Sequence, residues 1–215
     1  VANLDSAYFC QVKDKTGKII YRLPNHHFDI KATSPGRGTI VLLGGVIDYG
    51  EINRNLFWIR PNYVDTVYST SDWTDVRPYY IIQRNNRAAD YAWSVRMKVG
   101  DITREDAERE QLCNVYALKS GLLFNYLFNP KQQGAGFCPA NGKSKTISRL
   151  FKNDIDSYCP SIDLWQAIAY KTLYQKEDYL YLLIDAFKFF EEGAKSPFPD
   201  LTEESNPVLV KLKLK

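Results

Sequence analysis

Short runs of aromatic and β-branched residues, separated by turn signals, fill the first 100 residues of the chain. They include "AYFCQVK", "KIIYRL", "LFWIR" and "PYYIIQR", and residues of these types are enriched in strands. The segment "DKTG" between the first two runs indicates a hairpin, because Gly17 can adopt a positive φ. Residues 1–100 are therefore predicted to form a mostly antiparallel β-sheet.

After Gly100 the pattern changes, and three segments indicate helices. "DITREDAEREQL" has an acidic first turn, with Thr103 as a candidate N-cap. "IDLWQAIAYKTLY" and "KEDYLYLLIDAFKFFEEG" follow, and the second has an apolar face at helical spacing and ends near Gly193. Residues 101–193 are therefore predicted to be helical.

The last nine residues, 207–215, alternate between apolar residues and lysines, which predicts a strand at the edge of a sheet. The expected fold is α+β: an N-terminal, mostly antiparallel β-sheet packs against a C-terminal helical layer, and a C-terminal edge strand completes it. Because the last strand is expected to return to the sheet, residues 1–215 are predicted to form a single domain.

Four cysteines, none in a C-x-x-C pair, bear on the compartment. Their even number and wide spacing favour disulfides, for which we predict the pairs Cys138–Cys159 and Cys10–Cys113. The alternative is four free thiols in a cytosolic protein. The chain begins at Val1 without a signal peptide, as a mature exported protein or a trimmed chain would. We expect a secreted, periplasmic or extracellular protein, and no apolar run is long enough for a transmembrane segment.

Arginines alternate with aromatic residues in "RNLFWIRPNY", "VRPYYIIQRNNR" and "YAWSVRMK". Such residues can form a surface that binds planar, anionic or sugar ligands. The candidate residues are Arg54, Trp58, Arg60, Arg77, Tyr79, Arg84 and Trp93. The alternative is a sheet with its rings inside and its arginines outside. A net charge of +3 is too small to indicate nucleic acid by itself. For a protein that is expected to be extracellular, a protein or carbohydrate partner is favoured over nucleic acid.

The two histidines of the chain, His26 and His27, are adjacent. On an extended segment His27 and Asp29 would share a face, and a carboxylate can orient an imidazole as a base or a metal ligand. A metal site needs three or four ligands, however, so no metal site is predicted. The alternative is a polar loop after Pro24.

The stretch "VYSTSDW" resembles the middle motif of the bacterial ADP-ribosyltransferase toxins. In that family an arginine on an early strand and a Glu-x-Glu pair complete the site, and Arg22 and Glu108-x-Glu110 occur here in the matching order. The resemblance implies that Arg22 would hold an NAD phosphate, Ser69 would order the site, and Glu110 would stabilise an oxocarbenium-like centre. The family places the glutamates on a strand, whereas in the helix predicted here they would point about 200° apart.

These patterns contain no nucleophile–base constellation and no metal-spaced cluster. The sequence therefore favours an exported, disulfide-stabilised protein that acts by binding a protein or carbohydrate partner, without a cofactor. An NAD-dependent ADP-ribosyltransferase is the alternative. A hydrolase or nuclease that uses His27 with Asp29 is a third possibility.

Overall fold

The computed structural model describes residues 7–25, 47–62, 64–90, 92–94, 103–128, 132–147, 150–151, 160–170, 172–191 and 198–213. Of these residues, 53% are in strands and 10% are helical. The predicted α+β fold is therefore wrong, because the described part of residues 101–193 contains no substantial helical layer. The protein is mostly β.

The N-terminal half contains a two-stranded ribbon and a four-stranded sheet, both antiparallel. The ribbon consists of β1 (Tyr8–Lys13) and β2 (Ile19–Pro24), and Gly17 has a φ of +85° in the turn between them. The sheet is a meander of β3 (Ile47–Asn53), β4 (Leu56–Pro61), β5 (Thr66–Thr70) and β6 (Arg77–Ile81). Each strand of the meander pairs with the next one in the chain.

A second antiparallel meander occupies the region where a helix was expected. A 3-10 turn (Asp106–Glu108) precedes its strands, which are β7 (Glu110–Leu118), β8 (Gly121–Phe128), β9 (Gln132–Pro139) and β10 (Lys145–Ile147). The short strands β11 (Leu150–Phe151) and β12 (Ile162–Asp163) then form a ribbon, which is followed by helix α1 (Leu164–Ala169).

The C-terminal sheet has three antiparallel strands, β13 (Tyr174–Lys176), β14 (Tyr179–Ile184) and β15 (Val208–Lys213). Helix α2 (Lys188–Glu191) lies between β14 and β15. The predicted C-terminal strand is present as β15, at the edge of this sheet. Its alternate residues Val208, Val210 and Leu212 pack on a hydrophobic core, as the alternation in the sequence indicates.

The segment that forms strand β7 has the sequence pattern of a helix, because both faces of the strand are buried. Val115 and Ala117 pack into one hydrophobic cluster, whereas the intervening Tyr116 and Leu118 pack into another. A strand that is covered on both sides loses the apolar–polar alternation that identifies a strand in a sequence. The apolar residues of β7 therefore matched a helical spacing by coincidence.

The first strands of the three larger sheets meet at one place. Each of β3, β7 and β13 is an edge strand of its own sheet, and β3 contacts both of the others. This junction brings together residues from distant parts of the sequence.

No helix in the described part of the chain is long and apolar enough to cross a membrane.

Candidate functional site

A pocket of about 420 Å³ lies at the junction of β3, β7 and β13. It is lined by residues 48–51 of β3, Phe57 of β4, residues 114–116 of β7 and residues 173–175 at the start of β13. Two of the lining side chains, Tyr49 and Tyr174, are 76% and 62% exposed, whereas the polar side chains of Asp48, Asn114 and Gln175 are buried. The pocket therefore combines accessible rings with buried polar groups.

Asp48 connects β3 to β4 and β7. Its Oδ2 atom accepts hydrogen bonds from Arg60 Nη1 at 3.2 Å and from the backbone N–H of Val115 at 3.1 Å. Its Oδ1 atom accepts one from Asn114 Nδ2 at 3.1 Å. An edge strand leaves backbone N–H groups without a ladder partner, and burial would make such a group costly. The Asp48 carboxylate satisfies the Val115 N–H and the Arg60 charge together.

Gln175 makes the corresponding connection from β13. Its Oε1 atom accepts a hydrogen bond from Trp58 Nε1 at 3.1 Å, and its Nε2 atom donates to the carbonyls of Glu51, at 3.1 Å, and Ala117. Gly50 leaves room for this arrangement, because a Cβ atom there would lie 2.6 Å from Trp58 Nε1. One amide side chain thus joins all three sheets.

One buried side-chain atom among the residues that line the first pocket has no hydrogen-bond partner within the part of the chain that the structure describes. Asn114 Nδ2 donates to Asp48, and a carboxylate can only accept, so the orientation of the Asn114 amide is fixed. Its Oδ1 atom is buried and accepts no hydrogen bond. A buried acceptor without a partner costs about 1–3 kcal/mol, so a ligand that donates a hydrogen bond there would recover this energy.

Titratable groups near Asp48 are held in their uncharged or paired forms. Burial raises the pKa of the Cys113 thiol to about 12, so this thiol is protonated at neutral pH. Burial also raises the pKa of the Tyr116 phenol. Burial lowers the pKa of the Arg60 guanidinium, and the charge of Asp48 opposes that shift. Because the thiolate is the reactive form, Cys113 is not a candidate nucleophile.

A second pocket, of about 610 Å³, adjoins the first. Residues 10–13 of β1 and Trp73 line its far side, and it shares Tyr49, Gly50 and Phe57 with the first pocket. The two pockets are therefore neighbours along β3. A ligand longer than one small unit could extend from one into the other.

Three members of the predicted arginine–aromatic surface are inside the molecule. Trp58, Arg60 and Trp93 have exposed fractions of 1%, 0% and 4%. Trp93 Nε1 donates to the carbonyl of Asp106 at 3.0 Å. The alternative prediction, of rings inside and arginines outside, describes the two tryptophans but not Arg60. These three side chains form part of the core, although Trp58 also lines the second pocket.

The other members of that set lie in different surroundings. Arg84 pairs with Asp65, and Arg77 is exposed and pairs with Asp75 at 2.5 Å. The remaining two are Arg54, exposed in the turn after β3, and Tyr79, half-buried on β6 with its ring 4.6 Å from that of Tyr80. Three of the seven members are therefore buried, and a binding role for the set stays a prediction.

The toxin-like residues lie on three different sheets. Arg22 is exposed on β2, Ser69 is half-buried on β5, and Glu110 is the first residue of β7. Glu110 Oε2 accepts a hydrogen bond from Asn85 Nδ2 at 2.8 Å. Glu110 therefore begins a strand, and the predicted helix around it is wrong, whereas Glu108 lies in the 3-10 turn. The implied roles of Arg22, Ser69 and Glu110 stay predictions.

His26, His27 and Asp29 lie outside the described residues, so the predicted hydrolase site stays a prediction. Among the cysteines, Cys10, Cys113 and Cys138 are free thiols, whereas Cys159 lies outside the described residues. The structure therefore contains neither a Cys10–Cys113 bridge nor a bridge from Cys138. No group of three or more potential metal ligands occurs among the described residues.

Trp58 and Arg60 of the junction are among the residues that the sequence indicates as candidates, whereas Asp48, Asn114 and Gln175 are not. A signal was present, because Asp48 follows the apolar run "TIVLLGGVI", and Asn114 and Asn125 interrupt the apolar segments "QLCNVYAL" and "GLLFNYLF". A polar residue inside a buried strand needs a hydrogen-bond partner, so it marks either a structural connection or a site. Which residue supplies the partner could not be inferred from one sequence.

Comparisons with known proteins do not place the chain in a family. No protein-family model, no curated protein and no solved structure matches it. The geometry of the junction and its two pockets therefore carries the functional inference.

Proposed function

We propose that this protein binds a carbohydrate in the pocket at the junction of β3, β7 and β13. The observation that carries the proposal is at Asn114: this residue lines the pocket, and its buried Oδ1 atom has no hydrogen-bond partner in the described part of the chain. A sugar hydroxyl can donate to such an acceptor and can also accept from a neighbouring donor. The ligand class expected from the sequence, a protein or carbohydrate partner, includes this one.

The aromatic lining supports the same class of ligand. Tyr49 and Tyr174 are largely exposed at the pocket, and Phe57 lies between the two pockets as a shared wall. Binding sites typically combine apolar and aromatic walls with a few polar groups that fix the orientation of the ligand. Sugar rings have apolar C–H faces between their hydroxyl groups, so they suit walls of this composition.

The charges of the pocket favour a neutral ligand. The Asp48 carboxylate is neutralised by Arg60 behind it, and Glu51 adds a second carboxylate to the lining. A phosphate or carboxylate ligand in this pocket would meet Glu51 without a compensating cation in the lining. Because the second pocket continues along β3, we infer that the ligand is an oligosaccharide.

Binding of neutral oligosaccharides tests the proposal. A glycan array would identify a ligand, and isothermal titration calorimetry would measure its affinity for the wild type and for Tyr49→Ala and Tyr174→Ala. Each variant should weaken binding by about threefold to tenfold or more, because an aromatic contact contributes about 0.5–1.5 kcal/mol beyond its area.

Tyr170→Ala is the matched control. Tyr170 is 73% exposed and does not line either pocket, so its removal should leave the affinity unchanged. The proposal fails if no neutral glycan binds, or if Tyr170→Ala weakens binding as much as the two pocket variants do.

Export to an oxidising compartment is a separate proposal that rests on the number and spacing of the cysteines. Thiol titration of denatured, unreduced protein from its natural source tests it. The two bridges expected from the sequence leave no free thiol, whereas the free thiols Cys10, Cys113 and Cys138 of the structure would give at least three. A count of three or four removes the cysteine argument for export.

A further inference from the structure

The outward face of the C-terminal sheet carries two rows of tyrosine and lysine side chains. The strand register places Tyr174, Tyr181 and Lys211 side by side in one row. It places Lys176, Tyr179 and Lys213 side by side in the next row. On the opposite face of the sheet, the alternate residues of β13 and β14 are buried and those of β15 are half-buried. We call these six side chains the tyrosine–lysine face.

The tyrosine–lysine face has a net positive charge. It contains three lysines, and the strands β13, β14 and β15 contain no aspartate or glutamate. Of the two acidic residues in the β13–β14 turn, Asp178 accepts a hydrogen bond from the backbone N–H of Ser120 at 3.0 Å, and Glu177 is exposed. No ion pair to any of the three lysines occurs among the described residues.

The tyrosine rings hold the ammonium groups in defined positions. Lys211 Nζ lies 3.7 Å from the centroid of the Tyr179 ring and 5.8 Å from that of Tyr181. Lys213 Nζ lies 5.6 Å from the Tyr179 centroid. Such cation–π contacts restrict two long, flexible side chains. A ligand therefore meets cations that are already ordered, which lowers the entropic cost of binding.

The geometry of the rings distinguishes between two classes of polyanion. Single-stranded nucleic acids stack their bases on accessible aromatic faces. Here Lys211 covers one face of Tyr179, and the rings of Tyr174 and Tyr179 are each tilted by 50° from that of Tyr181. The face thus presents phenol hydroxyls, ring edges and ammonium groups, which suit a charged and hydroxylated ligand better than a stack of bases.

We propose that the tyrosine–lysine face binds an acidic polysaccharide, whose repeated carboxylate or sulfate groups contact the three lysines. Lys211 and Lys213 are two residues apart along one strand, which separates their Cα atoms by about 6.8 Å. Lys176 and Lys213 lie on opposite sides of β14, about 9.6 Å apart. A polymer with regularly spaced anionic groups can therefore contact several ammonium groups at once. Tyr174 belongs both to this face and to the pocket lining, but the three lysines line neither pocket, so this proposal does not require that a neutral sugar binds there.

Polygalacturonate and heparin oligosaccharides are the probes. Calorimetry at low ionic strength should detect binding of at least one of them to the full chain, and the affinity should fall as salt is added. The triple variant Lys176→Gln, Lys211→Gln, Lys213→Gln should lose about tenfold or more in affinity. The corresponding triple arginine variant keeps the three positive charges and should retain binding, and an unchanged melting temperature of the glutamine variant would show that it folds.

A matched control removes three exposed lysines elsewhere. The triple variant Lys15→Gln, Lys18→Gln, Lys145→Gln has the same net charge as the first variant, and its substitutions lie in the β1–β2 turn and on β10, outside both pockets. It should retain nearly wild-type affinity. Tyr49→Ala, which alters the pocket, should leave polyanion binding intact and so separates this proposal from the previous one.

Three outcomes overturn the proposal. The first is that neither polysaccharide binds at low salt. In the second, both glutamine variants lose affinity equally, which would reduce the effect to net charge. In the third, a single-stranded DNA oligonucleotide of matched charge binds more tightly than both polysaccharides, which would assign the face to nucleic acid.

Discussion

Replacement of Asp48 by asparagine keeps the shape of the side chain and removes its charge. The buried Arg60 guanidinium then loses the carboxylate with which it forms an ion pair, and loss of one member of a buried ion pair costs about 3–5 kcal/mol. For a chain of 215 residues, each kcal/mol lowers the melting temperature by about 2–4 °C, so we expect a decrease of about 6–20 °C. Arg60→Met should cost a similar amount, because it leaves the Asp48 carboxylate buried without its cation.

The double variant Asp48→Asn, Arg60→Met should be less destabilised than the sum of the two single variants. Both charges are then absent, and the new amide oxygen can still accept the Val115 N–H. Neighbouring groups of this kind couple by about 0.5–3 kcal/mol, and we expect the upper end of that range because the pair is buried.

Urea unfolding, followed by the fluorescence of the buried Trp58 and Trp93, measures these free energies. The exposed pair Arg77–Asp75 provides the control, and its removal should leave the urea midpoint nearly unchanged, because solvent screens the two charges. If Asp48→Asn is as mild as that control, or if the two single variants add up to the double variant, the buried pair does not stabilise the junction as described.

Gly50→Ala should lower the free energy of unfolding by about 1–3 kcal/mol, because the new Cβ would lie 2.6 Å from Trp58 Nε1; an unchanged urea midpoint would contradict this. The Cys113 thiol has a pKa of about 12 in the folded protein but ionises near pH 8.5 in the unfolded chain, so between these values the unfolded state is favoured by ionisation. Stability should therefore fall as the pH rises from about 8.5 towards 12, and Cys113→Ala should remove this part of the pH dependence; identical pH profiles would refute it. Deletion of residues 207–215 should lower the melting temperature, because it removes β15 and uncovers the core beneath it; a truncated protein that melts unchanged would show that β15 is not part of the stable fold.

Local signals in the sequence predicted the elements that local chemistry determines. The "DKTG" hairpin forms, with the N–H of Asp14 donating to the carbonyl of Lys18 and Gly17 at positive φ. The C-terminal strand also forms, because its alternation matches one buried and one exposed face. In both cases the structure depends on residues that are adjacent in the chain.

The helices expected over residues 101–193 failed for a tertiary reason. In β14, Leu180, Leu182 and Ile184 are buried and Leu183 is exposed, so the true period is two. Apolar residues on both faces of this strand also satisfied a helical spacing, and periodicity alone cannot separate the two structures in a short apolar run. Only the packing around the strand decides between them.

The candidate site could not be predicted from local sequence patterns, because its residues come from distant parts of the chain. Asp48 and Asn114 are 66 residues apart, and Gln175 Nε2 reaches the carbonyl of Glu51 across 124 residues. No spacing motif can encode such pairs. A single sequence shows that polar residues interrupt buried strands, but not which of them meet.

The junction of the three sheets also has a kinetic consequence. Each meander is built from hairpins between consecutive strands, and such local contacts close quickly because the loops are short. The bonds of Asp48 and Gln175 join segments that are far apart in the chain, so they are expected to form late, when preformed sheets dock. Interactions that are absent from the folding transition state govern the unfolding rate. The lifetime of the native protein would then be set at the junction, while its folding rate is set within the meanders.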